Sequence, residues 1–456
     1  MSFRGPARIG LCLAAALTVA LLAFLAATRP AAALPSYARQ TGQQCAACHN
    51  GFPELTPYGR LFKLNGYTFA GGPKTDLPPL AAMVIPTFTH TQGGQPGEGQ
   101  PGGAAPHFGP NNNFAVPQSV SVFYGGAIAP HVGAFIQATY DHVGRTFSWD
   151  NTDIRYAAAG NLFGGEMIYG VTINNNPTVT DPWNSTPAWG FPFLTSALAP
   201  TPAAATLIEG GLAQQVAGPS VYTFWNRLVY AEIGGYHTLT KGMDSALGVN
   251  PSGTSAINGF APYWRLALEP RWGRHSLEIG TFGLAASLNP GRVTGFGTDH
   301  TVDAGFDSQY QFLADRDSIS LQASYILENQ SLTASQAIGN TTNSRNHLRS
   351  LHVKTTYYYD QTYGGTLGYF RIDGTSDPTL YAGSATGSPN SAGWIAELNY
   401  MPFNRGGPSF WPWLNVKFGA QYIYYNKFNG GHNNFDGGDR NAHDNNTFFL
   451  FAWTAF

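Results

Sequence analysis

The 456-residue chain has 11% charged and 14% aromatic residues, 55 glycines and a formal net charge of −2. A soluble domain averages about 25% charged residues, so an ordinary water-facing surface is excluded, and so weak a charge gives no pull toward nucleic acid. Mean hydropathy is −0.16, so the chain is not apolar throughout either; its apolar and polar residues must be sorted onto different faces.

The chain opens as an export signal. Arg4 and Arg8 form a basic start, Ile9 to Ala27 is a nearly unbroken apolar run, and Ala31-Ala32-Ala33 offers a small-residue cleavage site. An uncleaved membrane anchor is the competing reading, because the run is long for a signal. Cys12 leaves with residues 1–33, so the mature chain keeps only Cys45 and Cys48. A single pair at CxxC spacing in an exported chain of this size is not a disulfide scaffold.

Residues 34–79 form a separate segment. Thr56-Pro57 places a capping residue before a first-turn proline, and Gly66 follows Leu61, Phe62 and Leu64 as a stop. This predicts a short helix from Pro57 to Asn65, with a further helical turn leading into Cys45.

From residue 80 to 456 the pattern switches to period two. Leu414, Val416, Phe418, Ala420, Tyr422 and Tyr424 alternate with Asn415, Lys417, Gly419 and Gln421. Val302, Ala304, Phe306 and Tyr310 alternate with Asp303, Asp307, Gln309 and Gln311. Repeated segments of about ten alternating residues are the signature of a transmembrane β-barrel; a soluble β-sandwich would carry more charge on its wet face. No later stretch approaches the ~18 apolar residues of a membrane helix.

Short links near 128–130, 160–164, 272–274, 314–317 and 360–363 alternate with polar stretches near 91–117, 143–151, 175–220, 240–260, 287–298, 330–346, 374–390 and 428–445. Turns on one side and long loops on the other predict an all-β, antiparallel barrel of about sixteen strands in the bacterial outer membrane, with both termini periplasmic. No clear hairpin emerges over 200–240.

Cys45-Ala46-Ala47-Cys48-His49 carries the chemistry. Two thiols at this spacing reach both vinyl groups of one haem c, and the adjacent His49 lies where it can ligate the iron. A redox dithiol suits a thioredoxin-like βαβ context, which is absent, and a zinc site needs more ligands nearby. So short a segment cannot enclose a haem alone, so the barrel is expected to house it as a plug. Met83, at the start of the first strand, is the candidate distal ligand; His90, His107 and His131 compete, as does a simple apolar role for Met83.

Arg39 to His49, followed by Phe52-Pro53-Glu54-Leu55-Thr56-Pro57-Tyr58-Gly59-Arg60-Leu61-Phe62-Lys63-Leu64-Asn65-Gly66-Tyr67, resembles the fused monohaem cytochrome–porins of bacterial outer membranes, associated with oxidation of extracellular ferrous iron. The resemblance implies electron transfer through one haem c from external Fe²⁺ to a periplasmic cytochrome or copper protein, an iron:cytochrome oxidoreductase. Two alternatives stand beside it: a haem-plugged transport porin, and electron export to an extracellular acceptor. His432, Asp436, Asp439, His443 and Asp444 could gather cations, though solvated loop residues explain them as simply.

Overall fold

The computed structural model describes residues 34–73, 77–96, 105–407 and 410–456; the expected signal segment, 1–33, lies outside them. Three short helices come first: α1 (Pro35–Thr41), α2 (Cys45–Cys48) and α3 (Pro57–Leu64). Then follow β1 (Leu80–Thr91), β2 (Asn112–Ala129), β3 (Val132–Asp141), β4 (Thr146–Leu162), β5 (Gly165–Asn174), β6 (Val216–Trp225) and β7 (Val229–Thr238). Strand β8 is interrupted into Ala256–Ile257, Ala261–Leu268 and Arg271–Trp272. The remainder are β9 (His275–Asn289), β10 (Asp299–Leu313), β11 (Asp317–Ser331) and β12 (Arg345–Tyr359). The last four are β13 (Tyr363–Gly374), β14 (Ser391–Tyr400), β15 (Asn415–Lys427) and β16 (Thr447–Ala455).

The sheet has eighteen hydrogen-bonded segments. Three belong to β8, so the barrel has sixteen strands, as its loop pattern predicts. Strand β16 pairs back onto β1, from Met83 opposite Ala455 to Thr91 opposite Thr447, so no edge is left open. Pro86 lies at the shift of register between Ile85 and Thr87, where a missing N–H costs no ladder bond.

Polarity is inverted relative to a soluble protein. Along β10, Asp303, Asp307, Gln309 and Gln311 are buried on the inner face, whereas Val302 and Phe306 are exposed on the outer face. Along β8, Arg265 is buried and its neighbours Leu266 and Leu268 are exposed. Lipid accepts the apolar outer face, and the inner charges persist because they are paired. Arg265 lies 3.0 Å from Asp181, 2.8 Å from Asp307 and 3.3 Å from Glu278.

Two local expectations are corrected, and one link is added. Residues 143–151 are not a long loop, because β4 begins at Thr146 and pairs with Asp141. The 200–240 region does contain a hairpin, β6–β7. Its signal is blurred because Pro219, Gly218, Gly234 and Gly235 dilute the alternation. Between β14 and β15, residues 401–414 make a longer link than the other turns on that side. The chain is a bacterial outer-membrane barrel, with its termini on the periplasmic, short-turn side.

Candidate functional site

Helix α3 starts where Thr56 Oγ1 accepts the amide of Gly59 at 3.2 Å, the cap the Thr-Pro signal predicts. The same hydroxyl donates to the Ala47 carbonyl at 2.6 Å, tying α3 to α2. Gly59 permits this approach, since a Cβ there would fall 2.1 Å from the Cys48 carbonyl oxygen.

Charged side chains fasten this segment to the inner wall. Arg60 donates to Glu269 at 2.6 Å, to Gln311 at 2.8 Å and to Gln309 at 3.0 Å. Glu54 accepts from Lys354 Nζ at 2.8 Å and from Gln311 at 2.9 Å. Burial opposes the charge on Glu54, but Lys354 outweighs it and holds the carboxyl below its ordinary range. Tyr67 donates to Asp153 at 2.6 Å, and Tyr222 donates to the Leu64 carbonyl at 2.7 Å.

The long loop between β5 and β6 meets the same segment. Lys63 Nζ donates to the carbonyls of Val179 and Asp181 at 2.7 and 2.8 Å, and lies 4.9 Å from the centre of the Trp189 ring. Burial, reinforced by Arg155, pushes the Lys63 ammonium down to about 7. Asp181 holds the loop by accepting the amides of Trp183, Ser185 and Thr186, each at 3.1 Å.

A cavity of about 500 Å³ lies among these parts, and Cys45, Cys48, His49 and Met83 all line it. The sequence-predicted quartet is therefore brought together, whereas His90, His107 and His131 are not on its wall. Cys45 Sγ accepts a hydrogen bond from Asn415 Nδ2 at 3.2 Å. Burial pushes both thiols up to about 12, so both are protonated at neutral pH. His49 Nδ1 lies 3.0 Å from the Pro53 carbonyl, and burial pushes its imidazole down to about 4. Met83 packs in a cluster with Ile85, Phe123, Phe449 and Phe451. Glu54, Arg60 and Lys63 have no role that the sequence predicts; the signal available was three charged residues within the otherwise largely apolar stretch 52–67.

No family model matches the chain, and no curated protein matches it. Solved structures similar to it include OmpT, an outer membrane protein of Vibrio cholerae, with 11% identity over 83% of this chain and 96% of that one, TM-score 0.41. The outer membrane channel DcaP of Acinetobacter baumannii shares 12% identity over 83% of this chain and 96% of that one, TM-score 0.42. The anion-selective porin from Comamonas acidovorans shares 10% identity over 82% of this chain and 98% of that one, TM-score 0.44.

The arrangement of the side chains corrects the chemical expectations. Among the described residues no group of three or more His, Cys, Asp or Glu side chains is placed to hold a metal ion. Membership of the cytochrome–porin family, the single haem c, metal binding and electron transfer from ferrous iron are accordingly set aside. A five-residue motif fixes the spacing of two thiols and an imidazole, but not the donors that surround them. The membrane-lipid partner stands; a periplasmic electron carrier and extracellular Fe²⁺ find no support.

Proposed function

We propose that the chain is an outer-membrane solute porin whose lumen is constricted by its own N-terminal segment, residues 34–73. The observation that carries this reading is the contact of Arg60 with Glu269, Gln309 and Gln311. A helix presents a buried charge to the polar inner wall of a barrel whose outer wall suits lipid. The segment acts as a plug, and the loop from 175 to 215 narrows the same space. Cys45, Cys48, His49 and Met83 are the plug-side and wall-side lining of the cavity left between them.

The test is electrical. The purified full chain in planar bilayers should show small single-channel currents, and R60Q/K63M should show larger ones, because the plug loses its wall and loop anchors together. Correctly inserted barrels that pass no current in either form would overturn the reading.

A further inference from the structure

A second cavity, of about 390 Å³, shares Asn184, Pro187, Ala188, Gly190 and Pro192 with the first. Its volume falls within the roughly 300–1,000 Å³ of small-molecule sites. Its charged side chains already have partners. Lys354 is paired with Glu54 at 2.8 Å. Glu209 lies 3.2 Å from His352 and accepts from Ser350 at 2.6 Å and from Thr206 at 2.8 Å.

Two amides on the wall retain unused capacity. Gln322 Nε2 donates to the Trp183 carbonyl at 2.9 Å, but its Oε1 accepts no hydrogen bond among the described residues. Asn184 Oδ1 accepts the Leu55 amide at 3.1 Å, but its Nδ2 donates none among the described residues. Both amide side chains line the cavity together with Phe191 and Phe370.

We infer that this cavity binds a small uncharged polyhydroxylated solute of the monosaccharide class. Hydroxyl groups of such a solute satisfy the two amides, and its C–H face lies against the phenylalanine rings. A charged solute gains no partner here, since the charges on the wall are engaged, and so bears its desolvation uncompensated. The inference rests on the porin reading, because it names the solute that the lumen would take.

Titration calorimetry on the purified full chain in detergent tests it, with glucose as probe and glucuronate and glucosamine as charged analogues. Saturable glucose binding is expected, weakened about ten-fold by Q322L, the loss of roughly one hydrogen bond. F370A should weaken it similarly, and both analogues should bind about ten-fold more weakly than glucose. No saturable glucose binding, or equal binding of glucuronate, overturns the inference, and so does unchanged affinity in both variants. If a variant loses the barrel, the analogue comparison on the unaltered chain decides. A protein that conducts without binding glucose fails here alone; one that binds glucose without ever conducting fails only as a porin.

Discussion

Lys63 and Arg60 lie one helical turn apart on α3, and the fold uses them differently. Arg60 meets a carboxylate, Glu269, which also holds Arg271 at 2.9 Å. Truncating one partner of a buried pair costs about 3–5 kcal/mol. R60M should fall near about 3 kcal/mol on that scale, since Arg271 remains beside Glu269, as read by denaturant unfolding in detergent. Lys63 meets only carbonyls and a ring, and its folded value is pushed down from 10.5 to about 7. The unfolded chain therefore binds a proton that the folded chain releases between those values. The Lys63 contribution to stability should rise with pH from about 7 toward 10.5, with its full penalty present below that window. K63M should flatten this slope in unfolding curves taken across the window; an unchanged slope would show that the ammonium is not the group responsible. Neither role was legible in the sequence, because each depends on what β8 and the 175–215 loop place opposite the helix.

The helices of the N-terminal segment are too short to be stable alone, so their order comes from capping and docking. T56A removes both the cap to Gly59 and the bond to Ala47, and should cost about 1–2 kcal/mol. G59A should be at least as damaging, because its Cβ would meet the Cys48 carbonyl and force α2 and α3 apart. Both changes should raise the reactivity of Cys48 toward a thiol reagent while the barrel stays intact; equal reactivity would mean that α2 does not depend on α3. The start of α3 was readable from Thr56-Pro57, because capping is local chemistry. The β6–β7 hairpin was not, because its inner face mixes Val216, Ser220, Tyr222 and Phe224 and its outer face carries Pro219.

Across the whole molecule, the division between lipid and lumen sets the energetics. Phe306, exposed near the middle of β10, adjoins Asp307, which is buried and bonded to Arg265. An arginine facing mid-bilayer lipid costs about 2–4 kcal/mol. F306R should therefore destabilise the barrel by about that amount in phospholipid vesicles, whereas the Arg265 guanidinium two strands away on the inner face is tolerated because Asp181, Asp307 and Glu278 surround it. A cost near zero for F306R would place that face away from lipid. The barrel, a count of about sixteen strands and the membrane sidedness were readable from the sequence, because alternation and loop length are local patterns repeated many times. Cys45, Cys48, His49 and Met83, expected from the sequence to hold a haem, do line one cavity, but the haem itself is set aside. What surrounds them depends on how the barrel closes. The partners that hold the N-terminal segment come from Glu269, Gln309, Gln311 and Lys354, far along the chain, and no spacing within a short motif can specify contacts that closure of the barrel creates.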